Sequence, residues 1–430
     1  MRARGWTTAL VLIAVLVRIA AVLVLRSHTV PRSTFEHGEI AANLLAGKGF
    51  SVKFLGAEGP TSQQAPIYPV LVAGAYAIGG VGTPRALLLL QIGQALMGGA
   101  LVAVVIGLGR VVAPERPRIA LIAGAIAALH PTLVYAATHV QVASLATLLL
   151  ASTFLFAHRA KAKDDRRGPL LCGFLLGLTA LTDPILGLAA PGLMGMMGRK
   201  RLASSGLIAL AAALTVAPWI VRNYFVHHEL VLIKSSFGYA FWQGNCSLSE
   251  GTDKVVRASI DSFLVKKPAS LKEWNESLWA ARHEAGYIDD IALTKDDYRT
   301  MSAMSEPERS RWLMRWALAD LRAEPSRYPR LCLRRLRYFV FWDETNPKTR
   351  SPVYRVSQLT LTIAAVSGWL LMGASLRRRW GPMMLVTVLI ALFHSSTIVS
   401  ARFHLPIEPF MALWAAGGMV QAPSSKNLTS

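Results

Sequence analysis

Three cysteines in 430 residues, Cys172, Cys246 and Cys332, show no metal-like spacing and cannot supply a disulfide framework. One bridge between Cys246 and Cys332 stays open, because Cys172 falls inside an apolar run. Acid is also scarce, with 25 Asp and Glu against 46 Lys and Arg and a formal net charge of +21. In a soluble domain that excess would point to nucleic acid. Here the basic residues gather in short segments between apolar runs, where they set membrane orientation, so no nucleic-acid partner is expected. Heptads and 20-to-50-residue repeats are missing, which excludes a coiled coil and a solenoid. Polar residues are too few for a soluble globule: 53% of the chain is hydrophobic, with a mean hydropathy of +0.39. The first apolar stretch, Trp6 to Leu25, is interrupted by Arg18 and is followed by LRSHTV, which has no small-x-small cleavage site. It reads as a retained anchor.

What is present is a series of apolar runs of about 17 to 25 residues, the length that crosses a bilayer. Arg2 and Arg4 before the first run place the N-terminus in the cytoplasm and the following loop outside. Ile67 to Ile78 is too short to cross at about 1.5 Å per residue and reads as a half-inserted helix on the outer side. Counting it as a full crossing would put HRAKAKDDRRG and GRKR outside, against the charge rule. The spans expected are then Arg85 to Leu108, Ile119 to Ala136, His139 to Ala157, Pro169 to Thr182, Pro184 to Met197 and Leu202 to Val221. Arg222 to Tyr354 holds most of the acid and no membrane-length run, so it reads as an external domain. Within it, Glu306 to Leu321 and Ser326 to Phe341 have helical periodicity on either side of Pro325. Ser357 to Leu376, Met383 to Val399 and Phe410 to Gln421 complete about ten spans and leave the tail inside. The fold class expected is an all-α polytopic membrane protein: a transmembrane module over residues 1–221 with an external loop at 27–84, a soluble domain at 222–354, and C-terminal spans at 355–430.

The segment Thr34 to Pro69 is polar, acidic and punctuated by Gly and Pro, although it lies between strongly apolar runs. Thr34 to Leu45 reads as a short amphipathic helix on which Glu36, Glu39, Ile40 and Asn43 share a stripe, ended by Gly47 and Gly49. Its motifs are E-x-G-x-I-A from Glu36, N-L-x-x-G-x-G-F-S from Asn43, Gly59-Pro60-Thr61, and P-x-Y-P from Pro66. Together they resemble the first external loop of bacterial GT-C membrane glycosyltransferases of the protein-mannosyltransferase-like branch. The resemblance continues through H-P-x-L-V-Y at His130, G-L-x-A-L-T-D-P at Gly177, P-W-x-x-R-N-Y at Pro218, G-Y-A-F-W-x-G-N at Gly238 and R-x-x-x-P-I-E-P at Arg402. It implies a GT-C fold, a catalytic carboxylate in the first loop, and transfer of one sugar, with inversion, from a polyprenyl-phosphate donor to an acceptor on the outer membrane face.

With this topology the polar oddities converge on one side: Glu36, Glu39, Gln63, Gln64, Tyr68, His130, Tyr135, His139, Gln141, Asp183, Arg222, Asn223, Arg402, His404 and Glu408. Polar groups at membrane depth normally face a bundle interior or a cavity. A carboxylate against an acceptor hydroxyl can take its proton as a glycosyl bond forms, which suits Glu36 and Glu39. A solvated helix face explains the same stripe, and the choice between the two acids stays open. Arg222, with Asn223 beside it, and Arg402 have the planar fork that grips phosphate. Interfacial anchoring beside Trp219 explains Arg222 equally well. Tyr68, Gln64, His139 and His404 complete the substrate-binding candidates. Arg18 reads as a buried structural charge, with Asp183 as its candidate partner. His130, His139 and His404 lie in no spaced ligand cluster and read as packing groups, so no metal site is expected. No cofactor is predicted, and the sequence gives no support for a divalent cation.

The expected partners are a polyprenyl-phosphate sugar donor, a glycan, lipid or protein acceptor, and membrane lipids, with the chain in the bacterial inner membrane. A polymerase or ligase of lipid-linked glycans shares the architecture and is the main rival. A transporter would suit the interruption near Asp183-Pro184, but no matching half-repeat is found.

Overall fold

The computed structural model describes residues 2–31, 33–162, 166–197, 202–255, 260–284 and 286–421, and these are mostly helical. The chain begins with α1 (Arg2–Leu25), α2 (Phe35–Leu45), a hairpin of β1 (Ser51–Phe54) and β2 (Ala57–Pro60), α3 (Ile67–Gly79) and α4 (Pro84–Val112). The hairpin pairs Phe54 with Ala57, leaving Leu55 and Gly56 as its two-residue turn, both at positive φ (49° and 87°). That geometry matches strand twist, and glycine is also demanded because a Cβ at Gly56 would lie 2.7 Å from the Tyr298 carbonyl. The Gly38 of E-x-G has a comparable reason, since a Cβ there would meet Tyr76 Oη on α3 at 2.9 Å. At 13 residues α3 is about 20 Å long, short of the roughly 30 Å hydrocarbon core, and it packs against α2 and α4.

Next come α5 (Pro117–Leu129), α6 (Pro131–Ala136), α7 (Ala143–Ala162), α8 (Arg167–Ala180), α9 (Ala190–Met197) and α10 (Leu202–His227). The span expected over Ile119 to Ala136 is two helices, because His130 precedes Pro131 and takes an extended conformation (φ −61°, ψ 120°). Pro131 has no N–H, so the Ala127 carbonyl loses its helical donor, and the break frees that of Ala128 as well. Arg18, 1% exposed, fills the gap: its guanidinium donates to Ala127 O at 3.0 Å, Ala128 O at 2.9 Å and Ala14 O at 3.1 Å. The expected pairing of Arg18 with Asp183 is therefore corrected. Asp183 instead caps the 3-10 turn Pro184–Ala189, accepting from Ile185 N at 3.2 Å.

Among the described residues, Gly5–Leu25, Pro84–Val112, Ala143–Lys161 and Leu202–His227 are long and apolar enough to cross a membrane. The other apolar helices, α3, α5, α8, Pro184–Met197 and Leu405–Val420, are 10–17 residues long, so the ten full-length spans expected do not appear as ten long helices. Small residues let α1, α4, α5 and α7 pack closely around a shared core with Phe154 in edge-to-face contact with Phe410 at 5.2 Å. The basic segment GRKR, residues 198–201, and the tail, 422–430, lie outside the described residues.

The polar segment carries α11 (Phe237–Asn245), α12 (Ile260–Phe263), α13 (Leu271–Glu284), α14 (Ile288–Ala292), α15 (Lys295–Ser302), α16 (Glu306–Ala323) and α17 (Arg327–Val340), followed by α18 (Pro352–Leu371), α19 (Ala374–Ser396) and α20 (Glu408–Gln421). Capping boxes, Thr294 with Asp297 and Ser305 with Glu308, start α15 and α16. The first loop and the polar segment share one core, in which Ile40, Val52, Phe54 and Leu55 join Trp242, Ile288, Met301 and Leu313. The Cys246–Cys332 bridge left open by the sequence is not formed: all three thiols are free, and Arg335 donates to Cys332 Sγ at 3.4 Å.

Candidate functional site

Phe35 opens α2 at φ 49°, a left-handed conformation that costs a side-chain-bearing residue about 1 kcal/mol or more. This turn delivers Phe35, Glu36 and His37 to the wall of a cavity of about 590 Å³. Other walls come from the break at Asp183-Pro184, the segment 140–146, the segment 232–240 and residues 393–406. Each is held by an identifiable bond. The amide of Ile67 donates to Leu181 O at 3.3 Å, tying α3 to the Asp183 break. Gln91 and Gln94 of α4 donate to the carbonyls of Ala137, Thr138 and His139 at 2.8–2.9 Å, fixing the chain that leads to Gln141. Asn275 of α13 donates to Leu25 O at 3.0 Å and accepts from Tyr135 Oη at 3.0 Å, which places Arg282 two turns further along the same helical face.

The lining joins apolar side chains, among them Val142, Ala146, Leu188, Phe393 and Phe403, to three carboxylates, Glu36, Asp183 and Asp253, and three cations, Lys234, Arg282 and Arg402. Lys234 Nζ donates to Gln64 Oε1 at 3.2 Å. Burial lowers its ammonium pKa, against the opposing pull of Asp183 and Glu36, so Lys234 senses both acids. Asp253 accepts from Lys254 at 2.5 Å. Arg282 stacks over Phe35 at 4.9 Å and Arg402 over Phe403 at 5.6 Å, but among the described residues neither has an ion-pair partner, and Arg282 Nε has no hydrogen-bond partner. Two arginines in a partly apolar lining, neither ion-paired to a carboxylate among the described residues, are poised for an anion. Burial, and then the charges of Lys234 and Arg402, push the His37 imidazole down to about 3, so it stays neutral with Nδ1 unbonded. Among the described residues no three His, Cys, Asp or Glu side chains gather as metal ligands would.

The residues singled out from sequence divide sharply. Glu36, Gln64 and Arg402 line the cavity. Glu39 does not: one turn along and offset by only about 60° around the helix, its exposed carboxylate instead accepts from Lys53 N at 2.7 Å, bracing the hairpin. Tyr68 stands one layer behind, edge-on to His37 at 5.0 Å, and donates to Gln94 Oε1 at 2.8 Å. Arg222 and Asn223 lie within α10, away from the cavity lining. Arg222 donates to Thr61 O at 2.6 Å and Phe50 O at 3.0 Å while stacking on Trp219 at 4.8 Å, and Asn223 accepts from Ser62 Oγ at 2.6 Å. The phosphate role read for Arg222 gives way to a structural one, since the carbonyls of the first loop already occupy its fork. His404 is buried between Tyr354 Oη at 2.8 Å and Glu408 at 2.9 Å, and Glu408, 0% exposed, also accepts from Thr132 at 2.6 Å. His139 lines a smaller adjoining pocket.

Sequence reasoning missed His37, Lys234, Asp253, Arg282 and Lys348. Lys234 had a signal, a lone cation ending the apolar run Leu230 to Ile233. Arg282 and Asp253 had none, lying in a segment rich in charge of both signs.

The chain is a bundle of apolar helices, two of them broken at proline, with a charged cavity and a helical polar segment, and it shares its fold with solved GT-C structures. Among solved structures it is similar to the oligosaccharyltransferase of Archaeoglobus fulgidus tethered to an acceptor peptide, with a TM-score of 0.55 and 13% identity over 96% of this chain and 49% of that one. It is also similar to archaeal AglB from the same organism in complex with an inhibitory peptide and a dolichol-phosphate, at TM-score 0.52 and 15% identity over 97% and 50%. ArnT from Cupriavidus metallidurans bound to undecaprenyl phosphate aligns at TM-score 0.44 and 15% identity over 97% and 78%. The chain thus spans about half the length of the two oligosaccharyltransferases. No protein-family model and no curated protein matches the sequence.

Proposed function

We propose that the chain is a multi-pass membrane glycosyltransferase of the protein-mannosyltransferase-like kind. It moves one sugar, with inversion, from a polyprenyl-phosphate donor to an acceptor on the outer face of a bacterial inner membrane. The observation that carries this reading is the cavity's composition. Apolar side chains suit a lipid tail, Arg282 and Arg402 are cations in no ion pair among the described residues, and Glu36 is a carboxylate in the same lining. A volume of about 590 Å³ is of the size that holds a small ligand, which favours one sugar over a long glycan.

In this mechanism the two arginines grip the donor phosphate and stabilise the charge that grows on it as the bond to the anomeric carbon breaks. Glu36 accepts the proton of the acceptor hydroxyl as its oxygen attacks from the opposite face, and the polyprenyl phosphate leaves. Lys234 holds Gln64 and orients the field between Glu36 and Asp183. Mass spectrometry of envelope lipids and glycans in a deletion strain tests the reaction class: one missing sugar is expected, whereas loss of a whole multi-sugar glycan would select the ligase or polymerase reading. Reporter fusions after Arg166 and Arg378 should read cytoplasmic and one after Gly251 external; an external signal at Arg166 would overturn the half-inserted role given to α3.

A further inference from the structure

A second, smaller pocket of about 70 Å³ adjoins the large cavity, and Gln141, Arg282 and Arg402 line both. The two differ in charge. The large cavity carries three carboxylates against three cations, whereas no acid lines the small pocket, which is bordered by His139, Arg282, Lys348 and Arg402 together with the small polar groups of Thr349 and Ser400. We infer that this pocket is a second oxyanion subsite, for a phosphate or carboxylate group other than the phosphate that carries the migrating sugar. The inference rests on the reading of the large cavity as the donor site.

Lys348 is the anchor. It is 8% exposed, it touches His139 Nε2, and its Nζ lies 3.6 Å from the Trp279 ring centre and 5.5 Å from that of Tyr135. Aromatic faces attract a cation but cannot neutralise it, and among the described residues Lys348 makes no ion pair with a carboxylate. Burial first, then the charges of Arg282, Lys254 and Arg402, hold its ammonium well below the ordinary lysine value. An amine in that position is costly to keep charged until an anion arrives, and an anion reverses each of these penalties. His139 stacks on Trp279 at 5.1 Å and braces the pocket from the other side. The volume admits one tetrahedral or planar oxyanion. Two sources share this chemistry: the second phosphate of a diphosphate-linked donor, and an acidic group on the acceptor.

The test uses the full chain in detergent micelles and inorganic phosphate as the probe, with binding read from ³¹P line broadening and folding from the melting temperature. Wild type should bind phosphate, and Lys348→Met should weaken binding about tenfold or more. Because Lys348→Met alters a buried site, Ser400→Asp supplies a second arm. A carboxylate built into the pocket wall that Lys348 shares should abolish phosphate binding there and raise the melting temperature. Phosphate should still bind when a short-chain polyprenyl monophosphate fills the large cavity. Displacement of phosphate by polyprenyl diphosphate would then assign the subsite to the donor, and continued binding would assign it to the acceptor. Phosphate that fails to bind wild type, binds both variants unchanged, or is expelled by polyprenyl monophosphate overturns the inference. A polyprenyl monophosphate that itself fails to bind marks failure of the donor reading instead.

Discussion

Two regions of this molecule are made from the same ingredients and behave as opposites. Where α10 meets the first loop, Arg222, Asn223, His227 and Glu306 form a closed knot. Glu306 accepts from Ser62 N at 2.7 Å and from the hydroxyls of Thr61 and Ser235 at 2.5 Å, and Arg222 is held by the carbonyls of Thr61 and Phe50. In the cavity, Glu36, Arg282 and Arg402 come from the same kinds of segments, but the two arginines have no ion-pair partner among the described residues. A saturated group fixes structure, and an unsaturated one is left for a ligand. Arginine and acid in a motif say that charge is needed; only the acceptors around them say for what.

The sharpest way to break this contrast is Glu36→Gln, which keeps shape while removing charge and basicity. A general base acts only as the bond forms, so kcat should fall about 100-fold or more with donor affinity retained. A variant transferring sugar at the wild-type rate would remove Glu36 from the chemistry. Next in size is Glu306→Ala, which strands the buried amide of Ser62 and two hydroxyls and should cost about 3 kcal/mol of stability, read as a lowered melting temperature in detergent. A melting temperature equal to wild type would mean that the knot does not hold the loop. The smallest effect belongs to Glu39→Gln, which weakens one exposed cap on the hairpin. Activity should change no more than a fewfold, and a dead but folded Glu39→Gln enzyme would swap the roles of the two acids.

Much of the fold was legible because apolar period and proline act locally. The loop helix, the short α3 and the pair α16 and α17 fall within two residues of where the pattern puts them. The Arg18 partner was not legible, since it is the backbone of a helix end exposed by Pro131, and backbone acceptors leave no mark in composition. Glu36 and Glu39 do share a stripe, offset by only about 60°, but the Lys53 amide of the hairpin engages Glu39 while Glu36 stays on the cavity wall, a partner that the stripe does not reveal. Arg282 was invisible for a different reason. It sits in an ordinary charged helix, and only the docking of Asn275 against the end of α1 brings it to the wall.

The central claim, that the cavity arginines and not the knot arginine bind the donor phosphate, is tested by measuring binding of a short-chain polyprenyl phosphate to Arg402→Ala and Arg222→Ala alongside their melting temperatures. Arg402→Ala should lose affinity tenfold or more with a nearly unchanged melting temperature, because among the described residues Arg402 is in no ion pair and feels Asp183 and Asp253 only at a distance. Arg222→Ala should melt earlier, by the equivalent of about 2 kcal/mol, while the folded fraction binds as wild type does. Unimpaired binding by Arg402→Ala, with binding lost in a stable Arg222→Ala, would contradict the account.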